Sequence, residues 1–166
     1  MAGFVHDGER VLDVGSDHAM LPLYLVENGV SPSAILTDRV KGPLRKAYEQ
    51  VSRVLGEDRI LAGFPCTMGL YEFRLGDGLE AVNIGEADVA VIAGMGGENI
   101  AGILERSSEI ASGFSRIILQ PRTKGDELRE YLTSARFDIL TDTVAEEKGR
   151  MCEILVVTKV KGNEKT

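Results

Sequence analysis

The chain has 166 residues, a net charge of −7, and 43% hydrophobic and 27% charged residues. That is one ordinary globular domain with a proper core, and it excludes a disordered chain. The acidic balance argues against a sequence-blind phosphate binder while leaving room for a local basic patch.

Short apolar runs alternate with helix-like segments, the pattern of a parallel sheet covered by helices on both faces. Residues 10–14 read as a first strand ending at Gly15, and 18–27 as a helix stopped by Asn28 and Gly29. Residues 33–37 read as a second strand followed by Asp38. A helix over 43–55 carries Leu44, Ala47, Tyr48, Val51 and Leu55 at helical spacing. Residues 62–70 (AGFPCTMGL) read as a loop or bent extension, 71–75 as a third strand and 79–83 as a short helix. The near-continuous apolar run 87–93 predicts a central buried strand. Gly94-Met95-Gly96-Gly97 breaks it before a helix over 98–106. A strand over 115–119, a helix over 124–135 with Tyr131 and Leu132 on its apolar side, and an antiparallel pair, 137–147 with 150–159, complete the chain. Residues 1–160 are expected as one domain and 161–166 as a polar tail.

The two cysteines, Cys66 and Cys152, stand far apart without a CxxC pair, so neither a disulfide framework nor a metal site is expected. Cys152 reads as a small buried hydrophobe. The N-terminus has no apolar stretch behind basic residues, and no run reaches the roughly 18 apolar residues of a membrane span. A soluble, cytoplasmic protein, monomeric and without membrane contact, is expected.

Four elements carry chemistry. The first is Val11-Leu12-Asp13-Val14-Gly15-Ser16-Asp17-His18-Ala19: a strand delivers an acid and a glycine turn into a helix whose first amides are free. A single glycine is too few for a tight pyrophosphate cradle. The pattern suits a ligand without phosphate, such as S-adenosylmethionine, whose amino-acid end meets Asp13 and the loop; an ordinary strand–helix turn is the other reading. The second is Asp38, 23 residues after Gly15 (38 − 15), at the offset of a carboxylate that pairs with ribose hydroxyls. A helix N-cap or loop carboxylate is its alternative. The third is Leu75-Gly76-Asp77-Gly78, whose Asp77 accepts an adenine amino group or simply makes a turn. The fourth is the triple glycine around Met95, which lets a substrate ring approach the backbone. All four fall at successive strand ends, where open α/β sheets bind ligands.

These residues resemble the bacterial TrmK-type tRNA (adenine(22)-N(1))-methyltransferases. The matching stretches are DVGSDHAMLPLYLVENG, AILTDRVKGP, RLGDGLEAV, ADVAVIAGMGGENIAGIL, RIILQPR, LREYL and CEILVV, spanning about residues 11 to 157. The resemblance implies a Rossmann-like class I methyltransferase, a mostly parallel seven-stranded sheet with helices on both faces and an antiparallel closing hairpin. It implies S-adenosylmethionine as cofactor and methyl transfer to N(1) of an adenine in tRNA. Cofactor contacts carry over to Gly15, Asp38, Asp77, Gly94 and Met95, and Asp13, Ser16, Arg39 and Gly78 are expected beside them. Gln120 and Pro121 carry over to the neighbourhood of the target base, and Gly96, Gly97 and Arg122 are expected as further substrate contacts. Asp17 carries over as the catalytic carboxylate, with His18 either a proton handler or a positioning group.

The sequence departs from the family at several points. A domain without the family's N-terminal helix and C-terminal coiled-coil extension is expected, the family's LQPN reads Leu119-Gln120-Pro121-Arg122, and 62–70 reads as an insertion. Arg39, Lys41, Arg45, Lys46, Arg122 and Lys124 form either a basic rim for RNA or a solvated charged face. Two alternatives stay open: a methyltransferase with another substrate, and a cofactor-binding domain without independent turnover.

Overall fold

The computed structural model describes residues 1–16 and 18–162, so the candidate catalytic carboxylate Asp17 and residues 163–166 of the polar tail lie outside the described residues. The strands are β1 (Val11–Val14), β2 (Ala34–Asp38), β3 (Cys66–Met68), β4 (Tyr71–Leu75), β5 (Val89–Met95), β6 (Arg116–Pro121), β7 (Phe137–Glu147) and β8 (Arg150–Lys159). They form one sheet in the order β3-β4-β2-β1-β5-β6-β8-β7. The central strands β4, β2, β1, β5 and β6 run parallel, while β3 and the β7–β8 hairpin pair antiparallel at the two edges.

The parallel strands are apolar at consecutive positions because both of their faces are buried. Along β5, Val89 and Val91 enter one core, while Ala90 and Ile92 enter the other. The first core is covered by α1 (Met20–Glu27) and α2 (Lys41–Leu55), through residues such as Leu25, Leu44, Ala47 and Val51. The second is covered by α3 (Gly97–Arg106), the short α4 (Ser108–Ala111) and α5 (Gly125–Ser134), through Ile100, Leu104, Leu128 and Leu132. Among the described residues no helix is long and apolar enough to cross a membrane.

The expected elements are present, with three corrections. The sheet has eight strands rather than seven, because the segment expected as a loop contains β3. Gly69 (φ +56°) and Leu70 turn the chain back on itself, and buried Met68 pairs with buried Tyr71. Strand β5 continues past Ala93 through Gly94 to Met95, with an irregular register against β6. Cys152 is only half-buried, because it lies near the turn of the hairpin beside exposed Met151.

Candidate functional site

Strand order reverses at β1: the chain moves outward from it through β2 and β4, then returns to its other side with β5. At such a switch point the loops diverge to opposite faces and leave a crevice beyond the carboxyl ends of the strands. A cavity of about 370 Å³ lies there, within the range of small-molecule sites. Its walls come from the ends of β1, β2, β4 and β5 and from one face of α3.

Most candidate cofactor residues converge on this cavity: Gly15, Asp38, Arg39, Asp77, Gly78, Gly94 and Met95 all line it. Gly15 (φ +76°) and Gly94 (φ +74°) sit in the left-handed region, which favours glycine. A Cβ on Gly15 would come within 2.7 Å of Met95 Cε, so any side chain there would push into the cavity wall. Asp38 does not cap α2, since the N-cap residue is Val40 and no side chain bonds the first turn. One Asp38 oxygen instead accepts the Val40 amide at 2.8 Å, which leaves the other for a ligand. Asp77 faces Arg106 of α3 across 3.3 Å. A carboxylate has about four lone-pair positions, so this ion pair leaves acceptor capacity on Asp77.

Asp13 and Ser16 lie just outside the lining and shape the loop. Ser16 Oγ donates to Asp13 at 2.6 Å, and the Gly15 and Ser16 amides both donate to the Thr37 carbonyl. Burial pushes the Asp13 carboxyl up to about 6, with the Ser16 hydrogen bond opposing it. His18 is exposed and precedes α1. The loop carrying Asp77 is held from below by Arg74. Its guanidinium donates to Glu86 at 2.6 and 2.9 Å and to the Ala81 carbonyl at 3.0 Å, and it pulls the Glu86 carboxyl down to about 2.

The candidate substrate residues separate. Arg122 is exposed, and its guanidinium lies 3.6 Å from where a Gly94 Cβ would stand. Gly96 is half-buried against Thr123. Gly97 is buried, its amide donates to the Thr123 carbonyl at 2.7 Å, and a Cβ there would overlap the Lys124 carbonyl. Its lack of a side chain is therefore used by chain packing. Pro121 is buried at the end of β6, and Gln120 is tied to Glu147 at 3.1 Å. Within the expected basic rim, Lys124 is committed to Glu98.

The α3 wall went unread in the sequence. Glu98, Asn99, Gly102 and Arg106 line the cavity. Their spacing of three and four residues places them on one helix face. A glycine inside a helix, at a cost of roughly 1 kcal/mol against alanine, was the available signal.

Residues 1–155 match the family described as Methyltransferase domain. The tRNA (adenine(22)-N(1))-methyltransferase of Bacillus subtilis is 37% identical over 94% of this chain, which spans only 61% of that relative. A putative tRNA (m1A22) methyltransferase of Streptococcus pneumoniae, solved in complex with S-adenosyl-L-methionine, superposes with a TM-score of 0.81 at 38% identity, covering 98% of this chain and 72% of that one. TrmK of M. capricolum, solved with S-adenosylhomocysteine, superposes at 0.77 with 26% identity, over 96% of this chain and 66% of that one. The crevice at the strand reversal and the match over nearly the whole chain agree: the chain belongs to the methyltransferase domain family, in its TrmK-type branch.

Proposed function

We propose that the chain is an S-adenosylmethionine-dependent methyltransferase acting on N(1) of an adenine in tRNA. The observation that carries this reading is the convergence of four strand ends on one cavity holding two separated carboxylates, Asp38 and Asp77, and the glycines Gly15 and Gly94. The residues fit the cofactor: one carboxylate suits the ribose hydroxyls, the other an adenine amino group, and no dense cluster of amides is demanded for phosphate. The donor set is that of an organic ligand; among the described residues no group of three His, Cys, Asp or Glu could hold a metal ion. When bound, S-adenosylmethionine supplies an electrophilic methyl group on a sulfonium centre.

The chain's own residues bind and orient. Asp38 accepts from the ribose, with its free oxygen aimed by the Val40 amide. Asp77, steadied by Arg106, accepts from the adenine ring. Gly15 and Gly94 keep the floor clear of side chains. Methylation at N(1) leaves the target ring positively charged. Asp17, assigned from its sequence position, balances that charge or takes the exocyclic proton. Arg122, over Gly94, is the cation at the mouth toward β6.

The test is methyl transfer to an unmodified tRNA transcript with the modified position mapped, alongside calorimetry with the cofactor. Transfer to an adenine N(1) is expected. Cofactor binding without transfer to tRNA would leave a different substrate or a binding domain without turnover. Replacing Asp17 by Ala should abolish transfer and keep cofactor affinity within about tenfold; retained transfer removes Asp17 from the chemistry.

A further inference from the structure

A second cavity, about 400 Å³, is lined by residues next in sequence to those of the first. It shares the two chain connections that frame the cofactor crevice. Arg39 and Gly76 face the crevice, whereas Lys41 and Leu75 face the second cavity. One wall is cationic, from Lys41 and Arg45 of α2. The apolar part of the lining is Leu61 and Phe64 of the segment before β3, with Leu75 at the end of β4. No carboxylate lines it.

The placement of the two cations is unfavourable for the isolated fold. They stand four residues apart on one face of α2, where like charges repel by a few tenths of a kcal/mol. They also occupy the helix's first turns, at the positive end of the helix dipole, with no acid in the first turn to offset them. Several of the chain's other cations are compensated. Arg10, Arg74, Arg106, Arg116 and Arg129 each pair with a carboxylate. Lys41 and Arg45 are exposed and make no ion pair or side-chain hydrogen bond among the described residues. In an acidic chain of net charge −7, two uncompensated cations lining one cavity with an aromatic ring and two leucines form a surface complementary to a nucleotide.

We infer that this cavity is a subsite for a single-stranded nucleotide of the RNA substrate, with its phosphate on Lys41 and Arg45 and its base against Phe64. The inference rests on the tRNA reading proposed above. Stacking of an unpaired base on an aromatic side chain, beside cations that track the backbone, is the general mode of single-strand recognition. Because the subsite shares these chain connections with the cofactor crevice, it grips the strand beside the target base and fixes which adenine enters.

The test uses the full chain and an unmodified tRNA transcript. In Lys41→Gln/Arg45→Gln the slope of log affinity against log salt should fall by about 2, roughly 1 for each cation withdrawn from the phosphates. KM for the transcript should rise about tenfold or more while kcat changes by less than about twofold. Cofactor affinity should not move. The double variant should melt no lower than the parent, since the repulsion and the dipole clash are both relieved. Phe64→Leu, which keeps an apolar side chain against the core, should raise KM by about tenfold without changing the salt slope. Unchanged KM and salt slope in an active enzyme would overturn the subsite alone. A parent chain that binds the cofactor but neither binds nor methylates the transcript would overturn the tRNA reading, and the subsite with it.

Discussion

Replacing Asp13 by Asn should make the protein more stable at neutral pH, and the gain should disappear in acid. Asp13 sits in β1 between the buried Leu12 and Val14, and burial pushes its carboxyl from 3.8 to about 6. The folded state therefore holds a proton that the unfolded chain has already released between about pH 4 and pH 6. Stability contributed by this group is present below about pH 4 and falls as pH rises toward 6; above that the full cost of a desolvated anion remains. A rise of that size corresponds to roughly 3 kcal/mol at most, and to on the order of 2 kcal/mol once the partial exposure of the residue is allowed for. Denaturant unfolding of the two proteins across about pH 4 to 8 reads this directly, with similar slopes and a midpoint difference that grows with pH. A variant that is less stable at neutral pH, or whose advantage is the same at every pH, refutes the reasoning. The same proton has a functional consequence if the anion serves the cofactor's ammonium group. Cofactor affinity should then rise with pH through about 6, with a proton released on binding. Calorimetry in buffers of different ionisation enthalpy would count it.

Three further perturbations separate binding from packing. Asp38→Ala should weaken cofactor binding by roughly tenfold to a hundredfold, the value of charge-assisted hydrogen bonds, and lower the melting temperature only slightly, because the side chain makes one exposed hydrogen bond, to the Val40 amide ahead of α2; calorimetry and thermal melting together check this. Gly97→Ala should destabilise by several kcal/mol or prevent folding, because the new Cβ overlaps backbone carbonyl rather than a movable side chain; soluble yield and denaturant midpoint are the readouts. Thr37 is fully buried with its hydroxyl unpartnered, so Thr37→Val should stabilise by about 1 kcal/mol. A loss of cofactor affinity in that variant would mean that the hydroxyl serves the ligand.

The parallel strands were legible because their apolar runs have no polar alternation, as in Val89–Ile92, and only a strand buried on both faces reads that way. The long hairpin was legible to the residue, since Lys148 and Gly149 supply its positive-φ turn between two runs of β-formers. Strand β3 was not. Its three residues alternate in burial too briefly to form a pattern, and its pairing is dictated by β4. Within the site, the carboxylates at strand ends were readable from offset and context. The α3 wall was not, because Glu98 and Arg106 resemble any solvated helix face until the sheet shows which side α3 presents to the crevice. Gly97 had the opposite history: glycine next to a ligand loop suggested a ligand, but its neighbour is the β6–α5 connection.

That last pair of outcomes follows from how the crevice is made. Where strand order reverses, β1 and β5 send their following chains to opposite faces, α1 to one core and α3 to the other. The ligand must then be gripped by parts of the chain that come from both faces, so their relative position depends on the sheet as well as on a few direct bonds such as Asp77 to Arg106. The register fixes it: Val14 pairs with Thr37 on one side and with Ile92 on the other, holding the ends of β1, β2 and β5 level. The Gly15 and Ser16 amides on the Thr37 carbonyl lock the first loop to the second strand. The Gly97 amide on the Thr123 carbonyl locks the α3 start to the loop after β6. Residues such as Gly97 and Thr37 thus support the site from outside the cavity lining. Asp38 and Asp77, half-buried, and the exposed Arg106 can stay polar because these buried backbone bonds hold the loops that carry them.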